Sequence, residues 1–146
     1  TAHRARALYY LGQRAEAFDI FERNIDSAHF NVTNNYYFSR ILATEQTDLN
    51  RASNLARRAV FDSRHDLKVW MNLCYVYYQA GRYDLSRGEA GKATHKYATA
   101  PEPYFRLGMA MHKEGKEGAR ENLEKAIELG LRGDHLETAR QTLADL

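Results

Sequence analysis

The stretch Trp70-Met71-Asn72-Leu73-Cys74-Tyr75-Val76-Tyr77-Tyr78, followed by Gln79-Ala80-Gly81-Arg82-Tyr83, decides the fold. Trp70, Leu73, Cys74, Tyr77 and Tyr78 recur at steps of three and four, which is one face of an α-helix. Gly81 can take the positive φ that turns a chain out of a helix. A second stripe follows, formed by Tyr83, Ser86, Ala90 and Ala93, and Tyr97-Ala98-Thr99-Ala100-Pro101 closes it, because proline cannot continue a helix from within. The stretch therefore reads as helix–turn–helix.

Working outward, the same unit returns. Tyr104, Leu107, Gly108 and Met111 lie 34 residues after Trp70, Leu73, Cys74 and Tyr77. Four triplets with internal spacing of four then three mark the second helices: Ala17–Phe21–Asn24, Ala52–Ala56–Ala59, Ser86–Ala90–Ala93 and Ala119–Leu123–Ala126. Their equivalent members are 35, 34 and 33 residues apart. A period near 34 with a helical stripe is the mark of stacked helix pairs. In the first unit Leu8 and Leu11 end a truncated first helix, Gly12 turns, and Ala17, Phe18, Phe21 and Ile25 form the second. The second unit's first helix fits two registers, one using Tyr36 and Ala43, the other Phe38, Ser39 and Leu42. The latter is preferred because it puts small Ser39 where helices cross. Asp48 is expected to N-cap the helix carrying Ala52, Ala56, Ala59 and Val60. A last helix, with Leu136, Ala139, Leu143 and Leu146, is expected to be N-capped by Asp134 with Glu137 completing a capping box, and to cover the last repeat. The expected organisation is one domain over 1–146, with units at 1–31, 32–66, 67–100 and 101–133 and the capping helix at 134–146. The chain starts without Met and inside a helix, so it reads as part of a longer protein.

Composition narrows the function classes. Net charge is +2 with both signs interspersed, and charged residues make up 27% of the chain. That leaves no basic stripe for nucleic acid and no polybasic segment for a membrane surface. No apolar run is long enough to span a bilayer. Cys74 is the only cysteine, which slightly favours a reducing, cytoplasmic compartment without excluding an exported protein. It takes a small-residue packing position and reads as a buried structural thiol. Six histidines (His3, His29, His65, His95, His112 and His135) show no i, i+3 or i, i+4 pairing, so spacing gives no metal site. Gly88-x-x-Gly91 falls inside a helix and is no phosphate loop. No catalytic or cofactor fingerprint occurs, so an enzyme and a bound cofactor are not expected.

Trp70-x-x-Leu73-Cys74-x-x-Tyr77 with Gly81-x-Tyr83, Tyr104-x-x-Leu107-Gly108-x-x-Met111 with Ala119-x-x-x-Leu123-x-x-Ala126, and Gly12 with Ala17-x-x-x-Phe21 together resemble the tetratricopeptide repeat. The resemblance runs over essentially the whole chain. It implies an all-α, right-handed superhelical solenoid whose first helices line a concave groove for an extended peptide or a partner helix. The implied groove residues are Lys68, Met71, Asn72, Tyr75 and Tyr78 from the third unit. Glu102, Phe105, Arg106, Met109 and His112 come from the fourth, and Tyr37 and Arg40 from the second. Asn72 and Arg106 hold equivalent positions 34 residues apart, so the resemblance implies that they sit side by side. There an amide could meet a peptide backbone and a guanidinium could grip a carboxylate. Some members of the family clamp chaperone tails with two Lys, two Asn and one Arg. Glu102 stands where one of those lysines belongs, which speaks against that ligand. The groove instead reads as aromatic and Met-rich, suited to an apolar or amphipathic peptide.

The resemblance thus implies a non-catalytic adaptor for a protein or peptide partner. One rival is self-assembly through the apolar side of Leu8, Leu11, Phe18 and Phe21. Another is a carbohydrate-handling module of a bacterial export system, with groove tyrosines against sugar rings. Ser86, Gly88, Gly91 and Thr94 make the second helix of the third unit the weakest, since helical Gly costs about 0.5–1 kcal/mol relative to Ala.

Overall fold

The computed structural model describes residues 1–25 and 31–146, and His29 lies outside them. Among the described residues there are nine helices and no strand. They are α1 (Ala2–Tyr10), α2 (Arg14–Ile25), α3 (Val32–Glu45), α4 (Leu49–Asp62), α5 (Leu67–Gln79), α6 (Tyr83–Lys96), α7 (Pro101–Lys113), α8 (Ala119–Glu128) and α9 (Gly133–Ala144). Each of the four small-residue triplets falls on a second helix, in α2, α4, α6 and α8. The chain divides into two compact units, Thr1–Ala80 and Gly81–Leu146. The division falls in the turn after α5.

In the first unit α1 packs on α2, α3 on α4, and α4 on α5, while α1, α3 and α5 lie in sequence beside one another. Tight turns make the hairpins. Gly12 sits at φ 84°, a region that costs an L side chain strain and glycine none. The preferred register of α3 is the observed one, with Phe38, Ser39 and Leu42 buried. Phe38 stacks on Phe21 (centroids 5.0 Å apart, planes at 8°) and meets Phe18 edge-on at 5.2 Å. Buried Asn34 donates from Nδ2 to the Phe21 carbonyl (3.2 Å) and accepts from Asn24 Nδ2 (3.2 Å). It thereby ties α3 to the C-terminal part of α2. Arg51 and Glu22 pair between α4 and α2.

Two expectations for this unit are corrected. Phe21 is fully buried, so the apolar residues left in solvent at the end of α1 are Tyr10 and Leu11, the latter 76% exposed. Asp48 precedes α4 but makes no side-chain cap: at φ 43°, ψ 56° it lacks the extended backbone that aims an N-cap oxygen at the next turn. The side-chain caps are on Thr1, Asn31 and Asp66, which accept from the amides of Arg4, Asn34, and Lys68 and Val69.

In the second unit α6 packs on α7, α7 on α8, and α9 on both α7 and α8. Its core is Phe105, Leu123, Ala126, Leu131 and Ala139, flanked by Tyr104, Met109, Ile127, Leu136 and Leu143. Gly108 explains how α7 and α8 approach. A Cβ there would lie 2.8 Å from Leu123 Cγ and 3.2 Å from the Ala119 carbonyl. Arg87 Nε donates to Glu114 at 2.7 Å, tying α6 to the end of α7. The expected capping box of α9 is absent. The helix begins at Gly133, so Asp134 is already helical and makes no cap bond.

Candidate functional site

The first helices of unit one present a recess. It is a cavity of about 170 Å³ lined by Arg6 and Tyr10 of α1, Tyr36, Tyr37, Arg40 and Ile41 of α3, and Lys68 of α5. Three of the implied groove residues, Tyr37, Arg40 and Lys68, meet here. Helical spacing does the positioning, since Tyr36 and Tyr37 precede Arg40 by four and three residues on α3.

Its electrostatics are one-sided. All three cations lie over rings. Arg6 sits 5.0 Å from the Tyr37 centroid and 5.5 Å from that of Tyr10, Arg40 lies 4.8 Å from Tyr75, and Lys68 lies 5.1 Å from Tyr36. These contacts hold the charged groups by cation–π attraction without neutralising them. Among the described residues, no carboxylate lines the recess. Arg6, Arg40 and Lys68 take part in none of the salt bridges among those residues. Tyr75 extends the face, its hydroxyl sharing a hydrogen bond with Thr44 at 2.8 Å.

A second polar cluster in this unit is internally matched and structural. Tyr9 donates to Glu45 Oε1 at 2.7 Å, and Arg14 grips the same carboxylate through Nε and a terminal nitrogen (2.9 Å). The Arg14 hydrogen bond holds Glu45 below the ordinary carboxylate range. Burial, reinforced by Glu45, pushes the Tyr9 phenol up to about 12.

The remaining implied groove residues are placed differently. Asn72 is 2% exposed, and its Nδ2 donates to Ser39 Oγ at 3.0 Å. It serves as a bond between α5 and α3 rather than as a free amide for a peptide. Met71 is buried and Tyr78 half-buried. Asn72 and Arg106 belong to different units, and each acts within its own.

In unit two, α9 occupies the side of α7 expected to face a ligand. Phe105 is buried with the His135 ring stacked on it at 4.6 Å. His135 Nδ1 lies 2.8 Å from Glu102 Oε2, and its Nε2 lies 3.4 Å from the Arg106 guanidinium. An imidazole carrying its proton on Nδ1 satisfies both contacts, donating to the carboxylate and accepting from the guanidinium. Thr142 Oγ1 lies 3.6 Å from Met109 Sδ, and His112 is half-buried. Glu102, Phe105, Arg106 and Met109 are thus engaged by the last helix. Arg6, Tyr10, Tyr36 and Ile41 line the recess beside the implied residues and were not among those that the repeat reading gave. Arg6 was legible as the residue 34 before Arg40, had α1 been read as a full first helix.

Solved structures of known fold match this arrangement over nearly the whole chain. A MamA structure from MSR-1 aligns with 98% of this chain and 80% of its own, at 21% identity and a TM-score of 0.71. MamA from AMB-1 aligns with 98% and 76%, at 21% identity and 0.69. A thermophilic tetratricopeptide-repeat protein of Thermus thermophilus aligns with 98% and 77%, at 18% identity and 0.73. No protein-family model and no curated relative matches the sequence. The chain has the all-α tetratricopeptide-repeat fold.

Proposed function

We propose that this chain is a non-catalytic interaction scaffold that holds a segment of a partner protein against α1, α3 and α5. Helical-repeat folds use their extended concave surfaces for binding, and the likeness in fold supports that general role. The observation that carries the reading here is the recess on the first-helix face, with tyrosine walls and cations left unpaired by the fold. Tyrosine and arginine are the side chains that most often dominate binding energy at protein interfaces. The recess is far smaller than the roughly 300–1,000 Å³ of small-molecule sites, which favours one side chain of a larger partner over a free metabolite or a sugar ring.

Photo-crosslinking from position 37 tests this reading. With p-benzoylphenylalanine in place of Tyr37, the crosslinked product is expected to be a distinct partner protein, and the same group in place of exposed Phe61 is expected not to capture it. Products consisting only of a second copy of this chain would favour self-assembly, a reading for which exposed Tyr10 and Leu11 are the specific observation.

A further inference from the structure

We propose that the recess of unit one is a phosphoryl-binding subsite, accepting a phosphoserine or phosphothreonine of the partner segment. This rests on the scaffold reading above. Three positive charges line one cavity and no negative charge offsets them. An apolar side chain would leave all three uncompensated, and a single carboxylate would leave two. A phosphomonoester brings a charge of about −1.5 to −2 and three strong acceptor oxygens, and here it finds three cationic donors. Two of these are guanidinium groups, whose planar forks match phosphate oxygens two at a time, and the third is a lysine point charge. Tyr10, Tyr36 and Tyr37 supply the ring faces of the same wall, and the Tyr37 hydroxyl lies 3.5 Å from His3 Nδ1.

The geometry also limits the size of the guest. A cavity of about 170 Å³ suits a compact phosphorylated hydroxyl side chain. Rings lie under Arg6, Arg40 and Lys68, and the modest cation–π attraction at such exposed sites offsets part of the side-chain ordering that opposes binding. The recess differs from the matched Tyr9–Arg14–Glu45 cluster on the same helices, where a carboxylate already neutralises the arginine. The fold pairs Arg14 and leaves Arg6 and Arg40 open.

The test is an NMR titration of the isotope-labelled full chain with three probes: the N-acetyl amides of phosphoserine, serine and glutamate. The phosphoserine probe is expected to give saturable shifts at the Arg6 and Arg40 side-chain N–H groups and at Tyr36 and Tyr37, with affinity about tenfold above the glutamate probe. Inorganic phosphate is expected to compete with it more weakly, since it lacks the peptide-like backbone that a partner segment supplies. Arg40→Gln is expected to lower affinity about tenfold, and Lys116→Gln, an exposed charge in the other unit, to leave it unchanged. The wild-type comparison of probes holds even where a variant loses stability. Absence of saturable shifts at these residues, equal affinity for the glutamate and phosphoserine probes, or equal loss in Arg40→Gln and Lys116→Gln would each overturn the proposal. In those cases a partner crosslinked from position 37 would still stand for the scaffold reading. Phosphoserine binding without any such partner would separate the two in the other direction.

Discussion

Asn72 shows how one residue can be given two different roles by the same repeat. Periodicity placed it correctly on the first helix of its unit, at the position equivalent to Arg106. What periodicity cannot supply is the neighbour that an amide meets, and Ser39, 33 residues earlier, takes its Nδ2. Asn72→Ala is therefore expected to lower the stability of unit one by roughly 1–2 kcal/mol, for the lost Nδ2 bonds to Ser39 Oγ and, at 3.5 Å, the Tyr36 carbonyl and a small void. Urea unfolding measures this directly, and an unchanged midpoint would mean that the bond contributes nothing. Gly108 carries the opposite lesson. Its role was legible from the repeat, and the 2.8 Å that would separate a Cβ from Leu123 gives it a magnitude. Gly108→Ala is expected to cost about 1–3 kcal/mol through overpacking, read as a lowered unfolding midpoint.

Helices were the most legible elements, because burial follows the 3–4 stripe whatever the partner is. Their ends were less so. Asp48 and Asp134 have the composition of N-caps, but capping needs a backbone conformation that neither adopts, whereas Asn31 and Asp66 do cap. The helix flagged as weak, α6, runs unbroken from Tyr83 to Lys96, and a Cβ at Gly88 or Gly91 would meet nothing within 4 Å. Each of Gly88→Ala and Gly91→Ala is expected to stabilise the protein by about 0.5–1 kcal/mol, visible as a raised midpoint. At the end of α3, Glu45 sits where the helix dipole disfavours a carboxylate, and Arg14 more than compensates. Its ionisation is held below the ordinary value of 4.5. The stability that it contributes is present above that value and is lost as pH falls through the lower, folded one. Tyr9, raised from 10.0 to about 12, contributes stability that is complete below pH 10 and is lost as pH rises towards 12. Glu45→Gln is expected to flatten the acid limb of a stability-against-pH curve measured by urea unfolding. An acid limb identical to that of the wild type would show that other carboxylates carry it.

At the scale of the whole molecule, the sequence carried the fold further than the site. A repeat fixes which helices pair, because small residues recur wherever two helices must approach. It does not fix which first-helix residues stay open, because that depends on what the next element covers. His135, for which histidine spacing indicated no role, reaches Glu102 and Arg106 and stacks on Phe105. With the rest of α9 it closes the face of α7 that the family resemblance would give to a ligand. Arg6 escaped notice because α1 had been read as a remnant. The open side chains converge on Arg6, Tyr37, Arg40 and Lys68, and the central claim is that a partner protein is held there. The most direct measurement is a quantitative pull-down from the native source, comparing the wild type with Tyr37→Ala/Arg40→Ala and with the control Lys116→Ala. Matched thermal unfolding would show that all three remain folded. The account predicts a partner recovered equally by wild type and control and depleted about tenfold or more by the double variant, the loss expected from removing two anchors worth roughly 1 kcal/mol or more each. A partner retained equally by all three would contradict it.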